Sequence, residues 1–350
     1  MSVVNEPDFR RLQWGRTAIK ADRAFNAGVK GGGKRPARVA IVDGGFWLDH
    51  PSIKHYNKKL SFNFVAGEKL NFNTEIGNDP TTGSFDFSHG THTASIMGGA
   101  DLGRSGTLGV APKAELILLK VLSDSGHGDD WPVISAIKYA ADNNVDILSL
   151  SLGDKKTTLI AAAGNSATNM DKDKPYFFWL LADLPHVIPV SATGPTFWGR
   201  NHKTDLDEFA YYSNSGSQID FAAPGGSLKV ANTKPDATCT VRVDASFTIK
   251  DFPCRRLDYV ISACCSEKAL FTKAQYGYKS RYAWVSGTSM AAPHVAGVAA
   301  LIVAKRGKPT SPAQLLKYLK QCSDDLGTKG KDDLFGFGRI NAGKVVDLKF

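Results

Sequence analysis

Apolar residues in this chain form short unbroken runs, separated by stretches rich in glycine and polar residues. Runs of this length, with no polar alternation, are typical of strands buried on both faces of a parallel sheet. A longer apolar run near the C-terminus predicts a buried helix. Strands are predicted at 38–43, 116–122, 145–152 and 184–192, and helices at 89–97, 132–144 and 295–303. The pattern therefore predicts an α/β fold with a mostly parallel sheet and helices on both faces.

The predicted elements belong to one large domain with two additions. The chain has 350 residues, 42% of them hydrophobic, which is enough for a substantial core. Residues 1–35 are predicted to form an N-terminal arm, and residues 36–350 the domain itself. Within that domain, 226–283 is a long insertion that carries four of the five cysteines.

A run of small residues leads into the last apolar helix and contains Ser289. This serine stands at or just before the predicted N-terminus, where free N–H groups and the helix dipole favour negative charge. A nucleophilic serine there would suit a reaction that generates an oxyanion. A serine before a helix is more often only its N-cap, so Ser289 alone assigns no function.

Two other polar residues could supply the partners that a nucleophilic serine needs, a base and an acid that orients the base. Asp43 ends the strand 38–43, and His89 stands at a loop-to-helix junction. The chain order Asp, His, Ser, with these surroundings, resembles that of the subtilisin-like serine proteases. The resemblance extends from about Trp14 to Asn341.

The resemblance implies a three-layer subtilisin-like fold and hydrolysis of peptide bonds through an acyl-enzyme. It also implies that Asn165 donates a hydrogen bond to the oxyanion. Two segments would offer backbone edges to an extended substrate: Gly126, His127 and Gly128, and Ser151, Leu152 and Gly153. Without the resemblance, the glycine segments would be interpreted as ordinary turns.

The chain departs from the family pattern beside the acid. Gly44 follows Asp43 where the family usually has threonine or serine. Glycine lets the backbone turn sharply here, but it removes one side chain next to the carboxylate. The acid itself is retained.

A second departure is a short connection. Only residues 154–160 separate Gly153 from Ala161, where relatives fit a helix and most of a strand. Parallel neighbouring strands usually need a crossover of a dozen or more residues. We therefore expect one sheet face to lose its cover here, or the strand 157–163 to change register or direction. Either change would threaten the position of Asn165 and the pocket wall.

The formal net charge of +9 does not by itself indicate a nucleic-acid partner. The chain has no clustered arm of lysines and arginines and no aromatic–basic pattern of a nucleic-acid module. It also has no run of 18 or more apolar residues that would predict a membrane span. We expect polypeptide substrates, no nucleic acid, no membrane and a monomer.

No cofactor is required by the implied chemistry, and no metal site is predicted. The cysteines have no CxxC spacing that would suggest zinc. The segment Gly99–Gly109 lies where some relatives hold calcium, but Asp101 is its only carboxylate, so calcium has no clear ligands there. His92, one turn after His89, is expected to pack beneath the site rather than to act as a second base.

The five cysteines, at 239, 254, 264, 265 and 322, leave at least one thiol unpaired within the chain. Their clustering allows one or two disulfides that pin the insertion, and buried free thiols are the alternative. Disulfides would suit an oxidising compartment, so a secreted location is expected. Residues 1–11 lack the apolar core of a signal peptide, which leaves an intracellular location open.

Three functions are consistent with these residues. The favoured one is a serine endopeptidase with an Asp–His–Ser triad. The second is a catalytically impaired homologue, because of the short connection. The third is an esterase that uses the same triad, although two exposed backbone edges suit an extended peptide better than a small ester.

Overall fold

A computed structural model of the chain describes residues 6–71, 87–124, 126–149, 157–172, 187–199, 201–227, 237–265 and 280–350. The predicted strand and helix regions fall largely within these ranges. Residues 151–153, proposed above as a substrate-binding edge, lie outside them.

The described strands fall into one large sheet and two small antiparallel pairs. The strands are β1 Arg38–Asp43, β2 Phe62–Asn63, β3 Glu115–Lys120, β4 Ile147–Ser149, β5 Thr158–Ala162, β6 Val187–Gly194, β7 Glu208–Phe209, β8 Phe221–Pro224, β9 Thr238–Arg242, β10 Thr248–Pro253, β11 Val260–Ala263, β12 Tyr282–Val285, β13 Ser323–Asp324 and β14 Arg339–Ile340. The large sheet has the order β13-β14-β8-β6-β5-β4-β1-β3-β2, with β7 beside β6. Its pairs are parallel except β13–β14 and β6–β7, so the predicted mostly parallel sheet is confirmed.

Helices precede, connect and follow these strands. The α-helices are α1 Trp14–Ala18, α2 Ala21–Asn26, α3 His89–Gly98, α4 Asp130–Asp142, α5 Thr288–Arg306 and α6 Pro312–Gln321, and short 3₁₀ turns occur at Arg10–Leu12, Cys254–Asp258 and Ala342–Asp347. The helix α6 starts with a capping box, in which Ser311 and Gln314 exchange side-chain to backbone hydrogen bonds.

Alternate residues of the strands are buried against helices on opposite faces of the sheet. In β1, Val39 and Ile41 belong to the apolar cluster that includes residues of α3 and α5. Ala40 and Val42 belong to a second cluster, with residues of α4. Since successive side chains of a strand point to opposite faces, helices cover both sides. The predicted three-layer α/β architecture is confirmed.

The helix α5 forms the centre of the core. It packs on β4, β5, β6 and β8, and against α3. By length and composition it could cross a membrane, but 89% of its most apolar 18-residue window is buried inside the protein. Its apolar surface is therefore used by the core, as the sequence predicts for 295–303.

The short connection does not have the consequences expected for it. Eight residues, 150–157, separate β4 from β5, yet β5 runs parallel to both β4 and β6. Thr158, Leu159 and Ile160 are at most 1% exposed. The expected change of direction and loss of cover are therefore wrong for the described residues of β5. Eight residues reach up to roughly 26 Å, which is enough to return along the roughly 10 Å of β4 without a helix.

The described residues between 237 and 285 form the two antiparallel pairs, β9–β10 and β11–β12, the second of which leads into α5. Disulfides join Cys239 to Cys254 and Cys264 to Cys265. Cys322 is a buried free thiol, whose pKa burial raises to about 12. The expectation of one or two disulfides within the insertion is confirmed.

A buried lysine joins the sheet to the loop that follows β1. Lys120, the last residue of β3, is fully buried. Its Nζ lies 2.7 Å from Asp124 Oδ1 and 3.1 Å from Glu68 Oε2, and it also donates to the carbonyl oxygen of Gly44. A charge is stable in the interior only when it is paired, so these carboxylates hold Lys120 in place.

Replacing Lys120 by methionine should lower the free energy of unfolding by about 3–5 kcal/mol, because Asp124 and Glu68 would lose their cation. Lys138→Met is the matched control. Lys138 also pairs with an aspartate four residues later, Asp142 at 2.6 Å, but its side chain is 76% exposed. That change should cost less than about 0.5 kcal/mol. Chemical denaturation of both variants tests this, and equal losses would contradict it.

Candidate active site

A cavity of about 360 Å³ at the carboxyl end of β1 brings Asp43, His89 and Ser289 together. Such crevices outside the carboxyl ends of parallel strands are the usual ligand sites of α/β sheets. Its other described lining residues are Ile41, Val42, Thr93, Val121, Leu122, Gly128, Asp129, Asp130, Val133, Ser149, Ala162, Ala292 and Pro293. The lining is largely apolar, which suits the exclusion of water around a few polar groups.

Asp43 is the last residue of β1, and its side chain is only 10% exposed. Its Oδ1 accepts the N–H of Gly44 at 2.7 Å, and its Oδ2 lies 2.8 Å from His89 Nδ1. The carboxylate is thus held from both oxygens. It fixes the orientation of the imidazole, because Nδ1 must carry the hydrogen that makes this bond.

His89 is the first residue of α3, and the cap of that helix attaches it to the loop after β1. Ser88 is the N-cap, and its Oγ accepts the N–H of Thr91 at 3.0 Å. The same hydroxyl donates to the carbonyl oxygen of Gly45 at 2.8 Å. These hydrogen bonds therefore connect the start of α3 to the segment that begins at Asp43.

The charge state of His89 is set by opposing effects. Burial lowers its pKa, but the charge of Asp43 and the hydrogen bond to it outweigh burial and raise the pKa above 6.5. The side chain remains 44% exposed. His89 is therefore a more basic imidazole than a free histidine, yet it is accessible from the cavity.

Ser289 is the second residue of α5 and is partly exposed in the cavity. Within the described residues, no hydrogen bond joins its Oγ to His89 Nε2. Catalytic hydrogen bonds are often long without substrate and tighten when it binds. The cavity therefore contains the acid–base pair already joined, with the serine beside it.

Asn165 lies next to the N-terminus of α5. Its Oδ1 accepts the backbone N–H of Thr288 at 2.8 Å and the hydroxyl of Thr288 at 2.9 Å. The Thr288 hydroxyl in turn accepts the N–H of Gly164 at 3.1 Å. With the amide oxygen occupied by two donors, the Asn165 side-chain NH₂ group is the donor left for a ligand.

One of the two predicted substrate-binding edges is described. Gly128 lines the cavity, and Gly126 and His127 are exposed beside it. The carbonyl oxygen of His127 accepts the N–H of Ser123 at 2.7 Å, so these residues form a tight turn rather than a strand. The other edge, Ser151, Leu152 and Gly153, lies outside the described residues.

Two other predicted features concern histidine and metal. His92 is fully buried, and its Nε2 lies 3.1 Å from the carbonyl oxygen of Ala283. Burial lowers its pKa to about 3, so it is neutral and packs beneath the site. Within the described residues, no group of three or more His, Cys, Asp or Glu is arranged to hold a metal ion.

Sequence reasoning missed two hydroxyl groups at this site. Thr93 Oγ1 lies 3.3 Å from Asp43 Oδ2, and Thr288 holds Asn165. Thr93 stands four residues after His89 on a helix, a spacing that places both on one face. That spacing was the available signal for Thr93. No comparable signal in the sequence connects Thr288 to Asn165.

Comparison with known proteins finds relatives that match nearly the whole chain. A model of the subtilase family matches residues 34–338. Thermitase from Thermoactinomyces vulgaris is 28% identical in an alignment that covers 98% of this chain and 98% of the relative. Subtilisin Savinase from Lederbergia lenta is 28% identical over 95% of this chain and 97% of the relative.

Solved structures share the fold. The crystal structure of a lanthipeptide protease superposes with a TM-score of 0.71 at 22% identity, covering 98% of this chain and 96% of the other. A protease from Pseudoalteromonas arctica gives a TM-score of 0.66 at 24% identity, covering 99% of each chain. With the family model spanning most of the sequence, the chain belongs to the subtilase family of serine endopeptidases.

Proposed function

We propose that the chain cleaves peptide bonds with Ser289 as nucleophile, His89 as general base and Asp43 as the acid that orients His89. The observation that carries this proposal is the 2.8 Å contact between Asp43 and His89, which adjoins the same cavity as Ser289. A serine at the start of a buried helix, beside an oriented imidazole, has the partners that an activated nucleophile needs.

In the proposed reaction, Ser289 Oγ attacks the carbonyl carbon of the scissile bond while His89 Nε2 takes its proton. Asp43 stabilises the imidazolium that forms. The tetrahedral oxyanion accepts hydrogen bonds from the Asn165 NH₂ group and from backbone N–H at the start of α5. His89 then gives its proton to the leaving amine, and water hydrolyses the acyl-enzyme by the same steps.

The proposed substrates are extended polypeptides. Gly126, His127 and Gly128, in the turn beside the cavity, would contact the substrate backbone. The family resemblance implies the same role for Ser151, Leu152 and Gly153. The mechanism requires no cofactor. We also propose a secreted, monomeric enzyme, and the two disulfides support the oxidising location.

A fluorophosphonate probe should label Ser289, because such probes need an activated serine with a working base. Labelling should be lost in Ser289→Ala and in His89→Ala. Ser149→Ala is the matched control, since Ser149 lines the same cavity but has no assigned role, and it should keep the label. Mass spectrometry of the adduct gives the position.

The other outcomes separate the alternative functions. Folded wild-type protein without any label would favour the impaired homologue, and lengthening the 150–157 connection would then be the repair to test. Labelling at Ser289 with hydrolysis of small esters but not of peptides would favour an esterase. Full labelling of His89→Ala would contradict the proposed base.

Replacing Asn165 by alanine should lower kcat by about 100- to 1,000-fold with little change in KM, since the donor acts on the oxyanion; that range was itself obtained with a subtilisin. Thr288→Val should have a smaller effect, about 10-fold, because the amide stays but loses one of its two fixed partners. Thr288→Ser should restore activity. Unchanged kcat in Asn165→Ala would contradict this assignment.

The rate should fall in acid with a midpoint above pH 6.5. His89 must be neutral to accept the proton of Ser289, and its raised pKa keeps it protonated to a higher pH than in a free histidine. Activity is therefore present above this pKa and lost as the pH falls through it. A pH profile of kcat/KM measures the midpoint, and a value below 6.5 would overturn the interpretation.

A further inference from the structure

The acid of the site has a second side-chain donor within reach. Thr93 Oγ1 lies 3.3 Å from Asp43 Oδ2, the oxygen that also contacts His89 Nδ1. Thr93 is only 5% exposed and borders the cavity. Its position on α3, one turn after His89, directs both side chains to the strand end that carries Asp43.

The residue after the acid supplies no side chain of its own. Gly44 contributes only its backbone N–H, which lies 2.7 Å from Asp43 Oδ1. At this position the family pattern usually has a hydroxyl-bearing residue, and this chain lacks it. Within the described residues, the side-chain hydroxyl that donates to the carboxylate is that of Thr93, on α3.

We propose that Thr93 is a positioning residue for Asp43 and performs the task that a hydroxyl at position 44 would otherwise perform. The N–H of Gly44 holds one carboxylate oxygen and the Thr93 hydroxyl holds the other. Together they restrict rotation of the carboxylate, so that Oδ2 stays directed at His89. The inference rests on the proposed role of Asp43 in catalysis.

The Thr93 hydroxyl has two acceptors available, Asp43 Oδ2 at 3.3 Å and the carbonyl oxygen of Gly90 at 3.1 Å. A hydroxyl has one proton to donate. Hydrogen bonds to an ionised acceptor are roughly twice as strong as those to a neutral one. The carboxylate of Asp43 is therefore the favoured acceptor when it is ionised.

Thr93→Val keeps the shape of the side chain and removes only the hydroxyl. We expect kcat to fall about 10-fold with KM unchanged within about 2-fold, because the hydroxyl acts on Asp43 and not on the substrate. Thr93→Ser should retain most of the activity. Unchanged kcat in Thr93→Val would overturn the proposal.

A second substitution tests whether the hydroxyl, rather than packing, is responsible. A Cβ at Gly44 would lie 3.6 Å from Leu122 Cβ and from the carbonyl oxygen of Ser123, which is ordinary van der Waals contact. Gly44→Ser should therefore be accommodated, and it should restore kcat in the Thr93→Val background. Gly44→Ala in the same background is the matched control. Equal rescue by alanine would overturn the proposal.

A spectroscopic measurement separates this inference from the proposed function. In the inactive Ser289→Ala background, the ¹H NMR resonance of His89 Nδ1–H reports the bond to Asp43 without any turnover. Thr93→Val should shift that resonance, and adding Gly44→Ser should return it. If wild-type protein shows no activity but the resonance responds, the positioning role stands and the proposed function fails. An unchanged resonance refutes the positioning role.

Discussion

The packing of α5 into the interior is the constraint on which the site depends. This helix is buried against the central strands and against α3, so its N-terminus cannot move without opening the core. That N-terminus carries Ser289, while α3 begins with His89 and β1 ends with Asp43. The hydrogen bonds of Thr288 to Asn165 join the same helix to the segment after β5. The packing of α3 and α5 against each other and on the sheet therefore fixes the relative positions of all four side chains.

The sequence predicted those parts of the fold and site that depend on local pattern. Unbroken apolar runs predicted the parallel sheet and α5, whereas the Asp, His, Ser order and its surrounding motifs, which resemble those of the subtilisin-like proteases, pointed to Asp43, His89 and Ser289. Thr93 and Thr288 were not identified, because a hydroxyl becomes informative only when its partner is known. Those partners lie 50 and 123 residues away in the chain. The four-residue spacing places Thr93 on the same helix face as His89, but no local period shows which distant residue a hydroxyl will contact.

The wrong expectation for β5 has a related cause. The length of the connection was used to predict the burial and direction of β5. Both are instead set by the strands that pair with β5 on either side and by the helix that packs against it. β5 is hydrogen-bonded to β4 and β6 along its length, and α5 contacts it from one face. A crossover helix buries one face of a sheet. The order of the strands, however, is maintained by the hydrogen bonds between neighbouring strands and by packing in the core. The connection therefore needs only enough length to reach from the end of β4 to the start of β5.

The proposed role of Thr93 would retain a family feature whose usual residue is absent from this chain. The site requires a carboxylate whose two oxygens both accept hydrogen bonds. If the carboxylate can rotate, the imidazole bonded to it is not fixed in one orientation. The donors need not come from a particular position in the chain. Here one comes from the backbone of Gly44 and the other from a helix that already has to be close, since it begins with His89. A sequence pattern that considers only the residue after Asp43 would conclude from Gly44 that the hydroxyl is missing. In three dimensions the hydroxyl remains beside the carboxylate and is supplied by α3.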